Sequence, residues 1–208
     1  MADGHTSSDY GWRDSEPTGS QAYLEPVVLA FLRRFAARRV LDLGCGNGAL
    51  RRRLKDVGFD VMGCDADPTG ISLARSRSPD IRFEVLDLHA SPESLGGQPF
   101  DAVVSTEVVE HLYSPRRLPE FAWPLVKERG HLIVTTPYHG YLKNLMLALS
   151  GRWDSHHTAL WEGGHIKFWS RATLTELLER NGYRVTGFAG AGRVPLLWKS
   201  MVLVAQRL

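Results

Sequence analysis

A glycine-rich turn behind an apolar run is the feature that most constrains how this chain folds. Residues 40–48 read VLDLGCGNG, so a short, mostly apolar run leads into glycines at positions 44, 46 and 48. An apolar run of this kind is typical of a strand buried on both faces of a parallel sheet. Glycine tolerates a left-handed backbone and lets a ligand approach the main chain closely. The pattern therefore predicts a central strand, a tight turn and a helix, with a ligand site at the carboxyl end of the strand.

Short apolar runs alternate with helical patterns along most of the chain. An amphipathic stripe predicts a first helix over residues 21–38. The predicted strands cover residues 39–43, 60–64, 81–86, 100–105, 131–136, 183–189 and 201–205. The predicted helices that follow cover residues 49–57, 69–77, 108–112, 115–126 and 171–181. This alternation predicts one α/β domain over residues 21–208, whose mostly parallel sheet ends in an antiparallel pair because the last two strands are too close for a long crossover.

Composition narrows the class of protein. The 208 residues carry 25 Lys and Arg against 23 Asp and Glu, and the resulting net charge of +2 argues against nucleic acid as the main partner. The two cysteines cannot form a disulfide framework, the first 20 residues hold no secretory signal pattern, and no apolar run is long enough to span a bilayer. We therefore expect a cytoplasmic protein whose polar residues 1–20 form a mobile lead.

Three aspartates follow the first three predicted strands. Asp42 lies beside the glycine turn, Asp65 comes 21 residues after Gly44, and Asp87 ends the third strand. An acid at the Asp65 offset suits a ribose diol, and an acid at Asp87 can accept a hydrogen bond from an adenine amino group. The carboxylate of Asp42 would repel a pyrophosphate and suits a cationic ligand group. These features favour S-adenosylmethionine, which has a ribose, an adenine and cationic groups but no phosphate.

A dinucleotide enzyme is the rival interpretation of the same turn. Gly44, Gly46 and Ala49 satisfy the G-x-G-x-x-G/A fingerprint of nucleotide-binding folds. The sequence therefore leaves an NAD-dependent oxidoreductase open beside a methyltransferase. A module that binds S-adenosylmethionine without transferring its methyl group is a third alternative.

Five runs resemble the successive motifs of the class I S-adenosylmethionine-dependent methyltransferases. They are VLDLGCGNG, GCDAD, VLDLHA, FDAVVSTEVVEHL and RGHLIVTTP, and they span about residues 39–137. The run TEVVEHL and the apolar insertion after TTP are similar to the ubiquinone-biosynthesis O-methyltransferases within that family. The resemblance implies a Rossmann-like, seven-stranded sheet of order 3-2-1-4-5-7-6 with helices on both faces and strand 7 antiparallel.

The resemblance also implies a set of cofactor-binding residues. Gly44, Gly46 and Asp42 would hold the methionyl part, Asp65 the ribose, and Asp87 with Leu88 the adenine. The full set predicted to bind S-adenosylmethionine is Asp42, Gly44, Cys45, Gly46, Asp65, Ala66, Asp87, Leu88, Thr106 and Glu107.

A second group of polar residues follows the fourth predicted strand. In a helix, Glu107, Glu110 and His111 would stand at i, i+3 and i+4 and would face the same way. Two carboxylates and an imidazole suit Mg²⁺ or Mn²⁺, with His165 as a fourth ligand. The alternatives are a general-base role for His111 and a hydrogen-bonded Glu110–His111 pair; Glu110, His111 and His139 are the candidate catalytic residues. The run also resembles the metal site of RNA 3′-end 2′-O-methyltransferases, so RNA stays open as a substrate.

Residues 138–168 form an insertion rich in histidine and tryptophan, which we expect to act as a lid over the substrate. Its apolar run, residues 141–149, is predicted to be a buried cap helix, with peripheral membrane contact as the alternative. Arg51, Arg52 and Arg53 are expected on a solvated helix face. The aromatic side chains suit a planar, phenol- or quinol-like small-molecule acceptor. We expect an O-methyltransferase that works as a monomer or homodimer.

Overall fold

A seven-stranded sheet of order β3-β2-β1-β4-β5-β7-β6 forms the centre of the molecule. The computed structural model describes residues 19–157, 159–161 and 163–208. The strands are β1 (Arg39–Leu43), β2 (Asp60–Asp65), β3 (Arg82–Val85), β4 (Phe100–Thr106), β5 (Val126–Pro137), β6 (Tyr183–Ala191) and β7 (Ser200–Arg207). β7 runs antiparallel to β5 and β6, and the other neighbours are parallel. The predicted strand order and the antiparallel edge are confirmed.

Seven α-helices accompany the sheet in the described chain. They are α1 (Gln21–Arg34), α2 (Ala49–Asp56), α3 (Pro68–Arg77), α4 (Arg117–Ala122), α5 (Tyr141–Leu149), α6 (Trp153–His157) and α7 (Arg171–Arg180). The apolar side chains of α1, α2 and α3 pack in one core with Val40, and those of α4 and α7 pack in a second core with Leu41. Because successive residues of a strand face opposite ways, β1 contributes to both cores and is buried on both faces.

The register of the central strands brings their carboxyl ends to one edge. Leu43, the last residue of β1, pairs with Cys64 near the end of β2. The turn that follows β1 ends at Gly48, whose φ of 77° places it in the left-handed region. Residues after β1, β2, β3 and β4 therefore meet at one edge of the sheet, where ligands bind in open parallel folds.

Two predicted helices differ from what the structure shows. The helix expected over 115–126 is limited to α4 and a 3₁₀ turn at Trp123–Leu125, after which β5 begins at Val126. The helix expected over 108–112 is a single 3₁₀ turn at Val109–His111. Glu107 precedes it with a φ of 55°, which no α-helix accommodates.

The insertion does not form the expected buried cap. Tyr141 and Leu149 of α5 are 83% and 75% exposed, and Lys143 is the buried residue of this helix. The helix forms over the predicted residues 141–149, but the prediction that it is buried is wrong, because its apolar side chains face outward. The helices of the described residues are too short or too polar to span a lipid bilayer. The lead predicted over residues 1–20 lies outside the described residues except for Gly19 and Ser20.

Candidate active site

A cavity of about 1040 Å³ opens at the carboxyl edge of the parallel strands. Its walls come from the start of α1, from the ends of β1 to β4 and from the insertion. The lining includes most of the residues predicted for the site: Gly44, Cys45, Gly46, Asp65, Ala66, Asp87, Leu88, Thr106, Glu107, His111 and His165. The structure thus brings two predicted groups, the proposed cofactor residues and part of the polar group after β4, to one space.

The glycine turn is tied to β2 by its own backbone. The N–H groups of Gly44 and Cys45 both donate to the carbonyl oxygen of Cys64, at 2.9 and 3.0 Å. Gly44 has a φ of 84°, and a Cβ at this position would collide with the side chain of Val108. A residue with a side chain would therefore be strained and obstructed at position 44. The cavity wall formed by Gly44 and Gly46 is main chain, as close approach of a ligand requires.

Asp65 links the end of β2 to the glycine turn. Its Oδ2 accepts a hydrogen bond from the Gly46 N–H at 2.7 Å, and its Oδ1 accepts one from the Asp67 N–H at 2.9 Å. Burial raises the pKa of the Asp65 carboxyl, and the two N–H donors oppose that rise. Carboxylate oxygens have further lone pairs, so Asp65 can still accept from ligand hydroxyls at the cavity wall.

Asp87 follows β3, lines the same cavity and is exposed. Its Oδ1 accepts a hydrogen bond from the His89 N–H at 2.7 Å, which fixes the loop after β3. Leu88 lies beside it in the lining and provides an apolar surface for a planar ring.

Asp42 does not line the cavity. Its carboxylate is 1% exposed and forms an ion pair with the guanidinium of Arg51 in α2. The expected partner was a cationic group of the ligand, whereas the structure supplies a cation from the chain itself. The expectation that Arg51 lies on a solvated helix face is also wrong, because this residue is 1% exposed.

Glu107 has a left-handed backbone and precedes the 3₁₀ turn that holds Glu110 and His111. The Glu107 N–H donates to the backbone oxygen and the Oγ1 of Thr135, at 3.2 and 3.1 Å. Its carboxylate accepts hydrogen bonds from Thr135 Oγ1 at 2.8 Å and from Ser200 Oγ at 3.0 Å. Burial raises the pKa of Glu107 to about 7, against these two hydrogen bonds.

Glu110, His111 and His165 form a compact cluster beside Glu107. Donor atoms of these three side chains all lie within 4.8 Å of one another. Glu110 is fully buried, and its pKa is raised well above the ordinary value by burial and by the charge of Glu107. The Thr136 hydroxyl favours the ionised form of Glu110 slightly, yet neither carboxylate oxygen has a hydrogen-bond partner of normal geometry among the described residues.

The surroundings of the two imidazoles in the cluster favour their neutral form. His111 Nδ1 lies 2.8 Å from the carbonyl oxygen of Gly163, which assigns the ring proton to Nδ1 because a carbonyl can only accept. Burial lowers the pKa of His111, and burial with the nearby charge of His111 lowers the pKa of His165 to about 4. A buried carboxylate without a hydrogen-bond partner and two neutral imidazoles fit a divalent cation. Three of the four predicted ligands therefore meet, and Glu107 lies outside the cluster.

The insertion contributes one segment to the site. Its backbone is anchored where the N–H groups of Ile166 and Lys167 both donate to the Glu110 carbonyl oxygen, at 3.0 Å each. Trp161 and His165 reach the cavity. His139 is not among the lining residues; its ring packs with those of His156, His157 and Phe168, at centroid distances of 5.0 to 6.0 Å.

Several lining residues were not predicted from the sequence. They are Ser20, Gln21, Leu24 and Glu25 at the start of α1, and Tyr113, Ser114 and Arg117 after the 3₁₀ turn. Tyr113 is 87% exposed, and its position directly behind the polar run was the signal that could have marked it. No sequence motif marks the lining residues of α1, because their position at the cavity depends on how the helix packs against the sheet.

Comparison with known proteins identifies the family. Residues 19–187 match the family model described as a methyltransferase domain. The ubiquinone biosynthesis O-methyltransferase of Ruegeria sp. strain TM1040 is 31% identical over 172 residues, which cover 79% of this chain and 68% of the relative. The protein of the same name from Azorhizobium caulinodans is 30% identical over 211 residues, with 88% of this chain and 81% of the relative covered.

Solved structures agree with this fold. Magnesium protoporphyrin IX methyltransferase from Synechocystis PCC 6803 with bound S-adenosylhomocysteine superposes with a TM-score of 0.68 at 20% identity, covering 91% of this chain and 84% of that chain. The methyltransferase domain of bacterial CtHen1 superposes with a TM-score of 0.67 at 25% identity, covering 90% and 98%. The chain belongs to the class I S-adenosylmethionine-dependent methyltransferases.

Proposed function

We propose that this enzyme methylates an oxygen atom of a small, partly apolar acceptor of the phenol or quinol type. The observation that carries the proposal is that one cavity joins the glycine turn and Asp65 to Glu107, His111 and His165. Trp161 and the exposed ring of Tyr113 offer aromatic surfaces for a planar acceptor at the same cavity. The relatives named ubiquinone biosynthesis O-methyltransferase support an oxygen acceptor of this chemistry.

We propose that the cofactor lies along the wall formed by the ends of β1, β2 and β3. Asp65 accepts hydrogen bonds from the ribose diol, while Asp87 and Leu88 hold the adenine. The main chain of Gly44 and Gly46 faces the methionyl part. Asp42 supports this wall without contacting the cofactor, since its carboxylate pairs with Arg51.

The proposed mechanism is in-line displacement at the methyl carbon. The acceptor oxygen forms the new bond to carbon as the sulfur–carbon bond breaks, which leaves neutral S-adenosylhomocysteine. Positioning in the cavity and removal of the hydroxyl proton are the main contributions of the protein. Glu107, with a pKa near neutrality and a place in the lining, is suited to accept that proton.

We propose that Glu110, His111 and His165 hold Mg²⁺ or Mn²⁺. An ion held there would supply Lewis-acid chemistry, which would lower the pKa of an acceptor hydroxyl. Without a metal, His111 is the alternative general base, because its lowered pKa keeps the imidazole unprotonated at neutral pH.

The test is a methyl-transfer assay with a panel of catechols and hydroquinones and with a short RNA duplex, read by mass spectrometry. We expect O-methylated phenols, and we expect His111→Ala to lower turnover about 100-fold while binding of S-adenosylhomocysteine changes little. His131→Ala is the matched control, because His131 stacks on Phe35 away from the cavity. Methylation of the RNA alone would contradict the proposal in favour of the 2′-O-methyltransferase alternative.

We further propose that α5 makes peripheral contact with a lipid surface. Leu142, Leu145, Met146 and Leu149 are 40% to 75% exposed on this helix. Arg152 and Arg193 line a neighbouring groove of about 430 Å³ together with apolar side chains. Exposed apolar side chains with basic residues at their rim suit an interface with anionic lipids, from which a lipophilic acceptor would enter.

A further inference from the structure

Arg51 occupies a position that helix stability alone does not explain. It lies in the first turn of α2 and is 1% exposed, whereas the side chains of Arg52 and Arg53 are 29% and 63% exposed. A cation in the first turn opposes the helix dipole, which favours negative charge at that end. Burying a guanidinium also costs solvation free energy. The placement of Arg51 therefore needs a reason outside α2.

Among the described residues, the polar contacts of Arg51 lie at the wall of the proposed cofactor site. Its Nη1 donates a hydrogen bond to the Cys45 carbonyl oxygen at 2.6 Å, and the Gly48 N–H donates to the same oxygen at 3.0 Å. The other terminal nitrogen, Nη2, forms an ion pair with the Asp42 carboxylate at the end of β1. Asp65 attracts the same guanidinium at longer range, and Arg51 itself lines the cavity. One side chain thus connects the end of β1 and the glycine turn.

The hydrogen bond to the Cys45 carbonyl links Arg51 to the backbone that faces the proposed ligand. Cys45 stands between Gly44 and Gly46, and the Gly46 N–H is one of the two donors to Asp65. The peptide units on either side of a glycine rotate easily, so a donor that fixes the intervening carbonyl restricts the whole turn. Although burial lowers the pKa of Arg51 to about 9, the guanidinium is charged at neutral pH and its hydrogen bond is charge-assisted.

We propose that Arg51 is a positioning residue for S-adenosylmethionine, an inference that rests on the cofactor placement in the proposed function. Its guanidinium fixes the Cys45 carbonyl and the Asp42 carboxylate, so that the glycine turn and Asp65 keep their binding geometry. A purely structural ion pair would behave differently. A buried pair that only balances charge can be replaced by neutral side chains without loss. Replacing both partners therefore separates charge balance from positioning.

The experiment compares Arg51→Met, Arg51→Lys and the double variant Asp42→Asn/Arg51→Met. Calorimetry with S-adenosylhomocysteine measures affinity, and thermal unfolding of the ligand-free proteins measures stability. Arg52→Met is the matched control from the exposed side of α2, where Arg52 pairs with Asp56 and Asp80. Asp65→Ala is the reference for a lost ligand contact.

We expect Arg51→Met to raise the Kd about 10-fold or more, because a buried charge-assisted hydrogen bond is lost. The double variant should regain stability, since no unpaired charge stays buried. It should keep the raised Kd, because the Cys45 carbonyl has lost its charge-assisted hydrogen bond and retains only the one from the Gly48 N–H. Arg51→Lys should be intermediate, because one ammonium does not reproduce the fork of the guanidinium. Arg52→Met should bind like the wild type.

Three results would overturn the proposal. The first is wild-type affinity in a folded Arg51→Met variant. The second is a double variant that regains both stability and affinity, which would reduce Arg51 to charge balance. If neither methionine variant folds, wild-type affinity in Arg51→Lys would show that the two-point contact is not needed.

Discussion

Lys143 carries a charge in the least favourable surroundings of α5. Its ammonium donates to the Tyr138 carbonyl oxygen at 2.8 Å, and burial together with the positive charge of Arg193 lowers its pKa to about 8. In the unfolded chain the lysine keeps an ordinary pKa near 10.5. Between these values the folded protein has lost the proton while the unfolded chain retains it, so stability rises with pH from about 8 to about 10.5.

The free energy of unfolding of wild type relative to Lys143→Met should therefore increase between pH 7.5 and pH 10. We expect an increase of about 1–3 kcal/mol, measured by urea denaturation at both pH values. Lys127→Met, which removes an exposed ammonium from β5, is the control and should show no such change. Parallel pH profiles for wild type and Lys143→Met would contradict the assignment.

Three aspartates of similar sequence context have different surroundings in the folded chain. Asp42 is buried against Arg51, Asp65 accepts two backbone N–H groups, and Asp87 is exposed. The spacing of these residues predicted their place at the strand ends, because parallel strands align their carboxyl ends. It did not predict the partner of Asp42, since an arginine beside two others on a helix gives no local sign of being buried. The family assignment also sets aside the NAD-dependent oxidoreductase that the glycine fingerprint alone allowed.

The run from Glu107 to His111 shows how an element departs from its pattern. The i, i+3, i+4 spacing predicted one helical face, but contacts with Thr135 and Ser200 hold Glu107 in a left-handed conformation. Those partners lie 28 and 93 residues away in the sequence, so no local pattern contains them. Glu110, His111 and His165 still meet because the insertion is fixed to the Glu110 backbone.

The exposed apolar face of α5 can be tested as a lipid-binding surface by substitution. Substituting Met146→Glu and Leu149→Glu removes apolar side chains that are 51% and 75% exposed. We expect the ligand-free Tm to change by less than about 2 °C, because exposed side chains contribute little to stability. Co-sedimentation with vesicles of phosphatidylcholine and phosphatidylglycerol should fall about 5-fold or more.

Val57→Glu is the control for this surface, since Val57 is 46% exposed at the end of α2, in another part of the molecule. It should sediment like the wild type. A wild-type protein that stays in the supernatant with anionic vesicles would overturn the lipid proposal, and a large loss of stability in the α5 variants would show that this helix is packed after all.

At the scale of the whole molecule, the site is assembled from distant parts of the chain. The sheet order places β1 between β2 and β4, and this order followed from the family motifs in the sequence. The placement of α1, Trp161 and His165 at the cavity did not follow from the motifs, because helix packing and insertion geometry depend on contacts between remote residues. A ligand that binds such an assembled site binds the folded state alone, so its binding stabilises the entire domain.

This linkage makes metal binding measurable without an acceptor. Mn²⁺ at about 100-fold excess over its Kd should raise the Tm of wild type by about 5–10 °C, and chelation with EDTA should reverse the rise. His165→Ala should lose most of the shift, because it removes one of three donors that lie within 4.8 Å of one another. His156→Ala, a histidine of the same insertion outside this cluster, should retain it. An equal shift in both variants, or none in wild type, would mean that Glu110, His111 and His165 do not hold the metal.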